Sequence, residues 1–114
     1  MEARNEKAAL KEAQAAVKAA PTAKRWARVG EIHLQARRYA KAMNAFCKAA
    51  KLKGGNGRYA LLAGQCAMQL ERFEEALESL RKATATAKKG STTAKMAARS
   101  LHELEQFLKN RQGG

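Results

Sequence analysis

Displacing the sequence by 34 residues brings its distinctive positions into coincidence. Gly30 falls on Gly64, Ala42 on Ala76, Ala49 on Ala83 and Lys48 on Lys82. The larger apolar positions match in kind: Tyr39 meets Phe73, Met43 meets Leu77 and Phe46 meets Leu80. Residues 23–56 and 57–90 are therefore two copies of one helix-turn-helix unit. Small residues recur where two helices must touch, and large ones recur where a gap must be filled. Neither copy can bury its apolar face alone, so the units must stack.

The apolar residues are spaced for helices, and alanine dominates them while Val and Ile are scarce. Alanine loses no side-chain freedom in a helix, whereas β-branched residues prefer strands. Punctuation then divides the chain. A first helix over residues 2–20 stops at Pro21, which cannot continue it. Thr22 can cap a second helix running to about Arg37. After a short break at Arg38 and Tyr39, a third helix reaches about Lys53, with Tyr39, Ala42, Met43, Phe46, Ala49 and Ala50 along one stripe. The run Gly54-Gly55-Asn56-Gly57 ends it. A fourth helix covers residues 58–70 and a fifth 73–88. Past Gly90-Ser91, a sixth runs from Thr92 to about Asn110, carrying Ala94, Ala97, Leu101, Leu104 and Leu108 on one face. The tail from Gln112 is expected to fray.

The first unit reads Trp26-x2-Val29-Gly30-x2-His33, then Ala42-x3-Phe46-x2-Ala49, with Gly54 in the position of a proline. This resembles the tetratricopeptide repeat, W-x2-L-G-x2-Y…A-x3-F…P, which has the same period. The second unit departs further: Ala60, Ala67 and Leu80 stand at the Trp, Tyr and Phe positions, while Gly64, Ala76 and Ala83 keep the framework. The resemblance implies an all-α fold, a right-handed superhelical stack of antiparallel helix pairs, with residues 1–114 as one domain. In that reading 1–21 is the second half of a preceding unit, 23–56 and 57–90 are the two repeats, and 91–112 is a capping helix. On physical grounds Gly30 and Gly64 permit close helix approach despite a helix-interior cost of about 1 kcal/mol. Trp26, Phe46 and Leu80 are expected to fill the space between helices.

Charge narrows the partners. The net charge is +13, and from Ala13 to Leu70 eleven Lys or Arg residues face one acid, Glu31. Glu71, Glu74, Glu75 and Glu78 then cluster, a patch expected to pair with Arg72, Arg81 or Lys82. Such a field attracts anionic partners and makes association salt-dependent. No apolar run approaches the roughly 20 residues that span a bilayer. The opening residues do not resemble a secretory leader, so a cytoplasmic location is the expectation.

Candidates for chemistry are few. His33 falls where the resemblance places a packing tyrosine, and His102 is expected on the surface. Neither has the accompanying ligands that a metal site requires. Cys47 and Cys66 are expected to be buried free thiols. The glycine run lacks the Gly-Lys-Ser/Thr of a phosphate loop, and no serine has an evident base partner. The chain is therefore read as a non-enzymatic protein with no cofactor.

In tetratricopeptide proteins the first helix of each pair lines a groove that holds a partner peptide. By repeat position this implies Lys24, Ala27, Arg28, Glu31, Leu34 and Gln35 from the first unit. Arg58, Leu61, Leu62, Gln65, Met68 and Gln69 come from the second, and Lys95, Arg99 and His102 from the last helix. Leu34, Leu61 and Met68 would form an apolar floor within a basic rim. Ala27, Glu31 and Gln65 replace three residues of the family's two-carboxylate clamp, which disfavours capture of chaperone tails. The function so implied is a scaffold binding a short acidic or amphipathic protein segment. Two repeats make a small groove, so the partner is short, or the chain extends a longer array or self-associates. The alternative is RNA or another polyanion bound through residues 18–58. Single-stranded RNA recognition usually adds stacking aromatics, and mainly Tyr59 is expected to be left exposed.

Overall fold

A computed structural model describes residues 2–52 and 56–113, and these form an all-helical stack. Its elements are α1 (Glu2–Ala19), α2 (Ala23–Gln35), α3 (Tyr39–Lys51), α4 (Gly57–Gln69), α5 (Phe73–Thr86) and α6 (Thr92–Gly113). Each helix packs on the next in chain order, and α6 also touches α4. The expected termination by Gly54 lies outside the described residues. The helix α6 continues past Asn110 to Gly113, beyond the point at which fraying was expected.

Helix ends follow from local chemistry. The Thr22 hydroxyl accepts from the Arg25 amide at 3.2 Å and caps α2. The Arg25 guanidinium in turn donates to the Ala16 and Ala20 carbonyls at 3.0 and 3.2 Å. Those carbonyls already accept from the Ala20 and Thr22 amides, each at 3.0 Å, and the guanidinium adds a charged donor at the negative end of the α1 dipole.

The α2–α3 break differs from expectation and recurs in the second unit. Arg37 and Glu71, equivalent by repeat, have φ of 59° and 56°. The Arg38 amide bonds the His33 carbonyl at 2.9 Å, and the Arg72 amide bonds that of Ala67 at the same distance. These are Schellman turns, in which the left-handed residue is usually glycine. With Arg and Glu there, the sequence carries no glycine to mark the turn, and α2 ends at Gln35 rather than near Arg37.

The two glycines shared by the repeats sit at close helix crossings. A Cβ on Gly30 would lie 2.8 Å from Cε1 of Phe46, and one on Gly64 would lie 2.9 Å from Cδ2 of Leu80. Ala42, Ala49, Ala76 and Ala83 are fully buried beside them, as are Phe46 and Leu80. Burial of such large side chains contributes roughly 1.5–3 kcal/mol each. Trp26 is not a fully buried filler. It is half-buried and packs against two core clusters, one joining α2–α6 and one holding Ala13 and Val17 of α1 with Val29, Ile32 and Ala45. The Lys48 ammonium lies 4.4 Å from its ring centroid, a favourable cation–π position. Gly57 also differs from its expected role. It opens α4, where a Cβ would lie 2.7 Å from that of Ala87, so it serves close approach rather than helix termination.

Candidate protein-binding surface

The face shared by α2, α4 and α6 gathers part of the expected groove. Leu34, Gln65, Met68 and Gln69 converge with Tyr39, Cys66 and Ser100 around an open cleft of about 450 Å³. Leu34 leaves the end of α2, Gln65 to Gln69 form the last turns of α4, and Ser100 faces them from α6. Apolar and amide groups from two repeats and the terminal helix thus meet at one place.

Other expected residues lie elsewhere. Leu61 and Ala27 are 4% and 2% exposed and belong to the core, so neither can form a ligand-facing floor. The reason is position: α4 has α3, α5 and α6 packed around it, and few of its sides remain open. Arg28 and Gln35 border a separate cleft with Asn5, Glu6 and Ile32, between α1 and α2. Arg58 lies at the opposite end of α4 from Met68, beside Asn56, Lys88 and Ser91. Ten residues of helix separate Arg58 from Met68, about 15 Å. Arg28 and Arg58 therefore do not border the apolar cleft. Lys24, Glu31, Lys95, Arg99 and His102 are exposed and Leu62 is half-buried. Arg99 donates to Glu103 at 3.1 Å.

Tyr39, Cys66 and Ser100 line the cleft although the groove expectation omitted them. Tyr39 matches an apolar packing position in the repeat, and its half-buried state is visible only once α4 is placed beside it. Tyr59, expected to be exposed, is half-buried against the core. The acids also pair differently. Arg81 reaches Glu105 of α6 at 3.7 Å, rather than an acid of its own helix.

A polar brace fixes the α2–α3 corner. His33 is 5% exposed, and its Nδ1 accepts from the Arg38 Nε at 3.0 Å. Arg38 also pairs with Glu6 of α1 at 2.6 Å. Burial lowers the His33 pKa, and the Arg38 and Lys41 charges lower it further against an opposing effect of Glu6. The accepted hydrogen bond requires an unprotonated Nδ1, so bond and pKa agree on a neutral imidazole. The two cysteines are free thiols, Cys66 buried and Cys47 half-buried rather than fully buried. Burial pushes Cys66 up to about 11, with Cys47 adding to the rise. Burial also raises Cys47. Thiols held protonated are weak nucleophiles. Among the described residues, no three His, Cys, Asp or Glu side chains are grouped to hold a metal ion. No described helix is long and apolar enough to cross a membrane.

Stacked antiparallel pairs with glycines under Phe46 and Leu80 define a tetratricopeptide-type helical repeat, a class of protein-interaction scaffold. The profile of the family described as anaphase-promoting complex, cyclosome, subunit 3 matches residues 2–83, and the chain belongs to that family. Families of this type are typically non-catalytic. No curated protein matches the chain.

Proposed function

We propose that the chain captures a short acidic or amphipathic segment of a partner protein on the α2–α4–α6 face. The observation that carries this reading is the convergence of Leu34, Tyr39, Met68, Gln65 and Gln69 on one open cleft. An apolar side chain of the partner would bury against Leu34 and Met68, while the Gln65 and Gln69 amides bond its backbone. Arg28 and Arg58 border other clefts and, with the exposed Lys95 and Arg99, steer an acidic segment at longer range toward a chain of charge +13.

The test is partner capture by the chain and by a Leu34→Ser/Met68→Gln variant, each with and without nuclease. Capture should fall strongly in the variant, resist nuclease, and leave helicity unchanged. Reversing Arg58 and Lys95 should mainly slow association and flatten its salt dependence. Binding of RNA or another polyanion through residues 18–58 would give the opposite pattern. Capture would then ignore the cleft, vanish with nuclease and fall steeply with salt.

A further inference from the structure

At the α4–α5 corner the repeat reverses its charge. Arg37, Ala40, Lys41 and Asn44 of the first unit become Glu71, Glu74, Glu75 and Glu78 in the second. Beside these acids lies an open cleft of about 670 Å³, lined by Phe73, Leu77 and Leu108 with Glu71, Glu74 and Glu75 and the two basic residues Arg72 and Arg111. The Phe73 and Phe107 rings meet with centroids 5.3 Å apart at 52°. Phe107 remains 50% exposed, a large apolar surface left in water. The Arg111 guanidinium lies 5.5 Å from the Phe73 centroid, so this aromatic wall already accommodates a cation.

The fold does not require the acids. Glu74 and Glu75 occupy the first turn of α5, where the helix dipole favours them. Yet α3 starts with no acid in its first turn and forms the same helix. Among the described residues Glu71, Glu74, Glu75 and Glu78 enter no ion pair, although the chain holds 23 Lys and Arg against 10 acids.

We infer that this cleft docks a basic segment of a partner protein that also carries an aliphatic or aromatic side chain. The apolar side chain packs on Phe73, Leu77 and Leu108 and covers Phe107. Lysines or arginines flanking it meet Glu71, Glu74 and Glu75. Glu71, Glu74 and Glu75 outnumber Arg72 and Arg111 around the cleft, and Arg111 is drawn over the Phe73 ring, so an acidic segment would bring like charges together as water is expelled. The surface is separate from the α2–α4–α6 cleft, and its ligand has the opposite charge.

The test uses two labelled peptides, one of Lys and Leu with a single Phe, the other with every Lys replaced by Glu. Fluorescence anisotropy measures binding of each to the chain. The Lys peptide should bind and lose affinity by roughly tenfold or more with Phe107→Ala, as for a buried aromatic anchor. It should also weaken with Glu71→Gln/Glu75→Gln, substitutions on exposed side chains that leave the core intact. The Glu peptide should respond to none of these. The inference fails if the Lys peptide does not bind, or if its binding ignores both variants. It also fails if the chain alone forms a dimer that Phe107→Ala dissociates, which would assign the cleft to a second copy.

Discussion

The two repeats share a framework and differ in what they do with it. Both place a glycine against a large side chain, but Gly30 faces the flat ring of Phe46 and Gly64 the branched end of Leu80. Both turn through a left-handed residue, yet Arg37 stands in the first corner and Glu71 in the second. The first corner is tied to α1 through His33, Arg38 and Glu6. The second has Ala67 at the histidine position and is covered instead by the far end of α6, where Phe107 meets Phe73. Glycine, alanine and turn geometry specify the stacking unit, whereas the side chains at its corners specify its neighbours.

The largest test of this division empties the two crossings. Phe46→Ala and Leu80→Ala should each cost about 3–5 kcal/mol, measured by urea denaturation, because both side chains are fully buried. A cost below about 1 kcal/mol at either site would remove it from the shared framework. Overpacking is the next largest effect. Gly30→Leu and Gly64→Leu should cost on the order of 1–3 kcal/mol. Gly30→Ala should be milder, and Phe46→Leu should recover part of its loss, since a leucine end yields more readily than a ring. Equal penalties for Gly30→Ala with and without Phe46→Leu would show that the clash is not with the ring.

The brace separates the units by pH. Folding holds the His33 pKa below its ordinary 6.5, so in mildly acid solution the unfolded chain binds a proton that the folded one refuses. Stability is then fully present above about pH 6.5 and falls as pH drops through the window below it. His33→Gln should remove that dependence, measured as the change in denaturation midpoint with pH. A slope unchanged in the variant would exclude His33 as its source. The smallest effect lies in the turns. Arg37→Gly and Glu71→Gly should each stabilise by up to about 1 kcal/mol, relieving a left-handed conformation disfavoured for residues with a Cβ. Unequal gains would show that the two corners are not conformationally equivalent.

Much of the framework was legible because it is periodic. Gly30 with Phe46 and Gly64 with Leu80 follow from a repeated pattern of small and large residues, and Pro21 and Thr22 from helix chemistry. The turns at Arg37 and Glu71 were not legible, since their residue types lack the usual glycine and only backbone geometry reveals them. Gly57 carried the opposite error: a glycine beside two others reads as a stop, while its use is close approach to Ala87. The lining of the α2–α4–α6 cleft was half legible. Repeat position located Leu34, Gln65, Met68 and Gln69, but it could not distinguish Leu61 from Leu62, because burial on α4 depends on three surrounding helices.

The single tryptophan gives this architecture an internal spectroscopic probe. Trp26 touches both the cluster built with α1 and the cluster that runs through the remaining helices. Its emission therefore reports on the seam between them. Release of α1 by itself would expose the indole and shift its emission to the red while most of the far-ultraviolet helical signal persisted. Coincident changes in the two signals would instead show that α1 and the repeats melt as one cooperative unit.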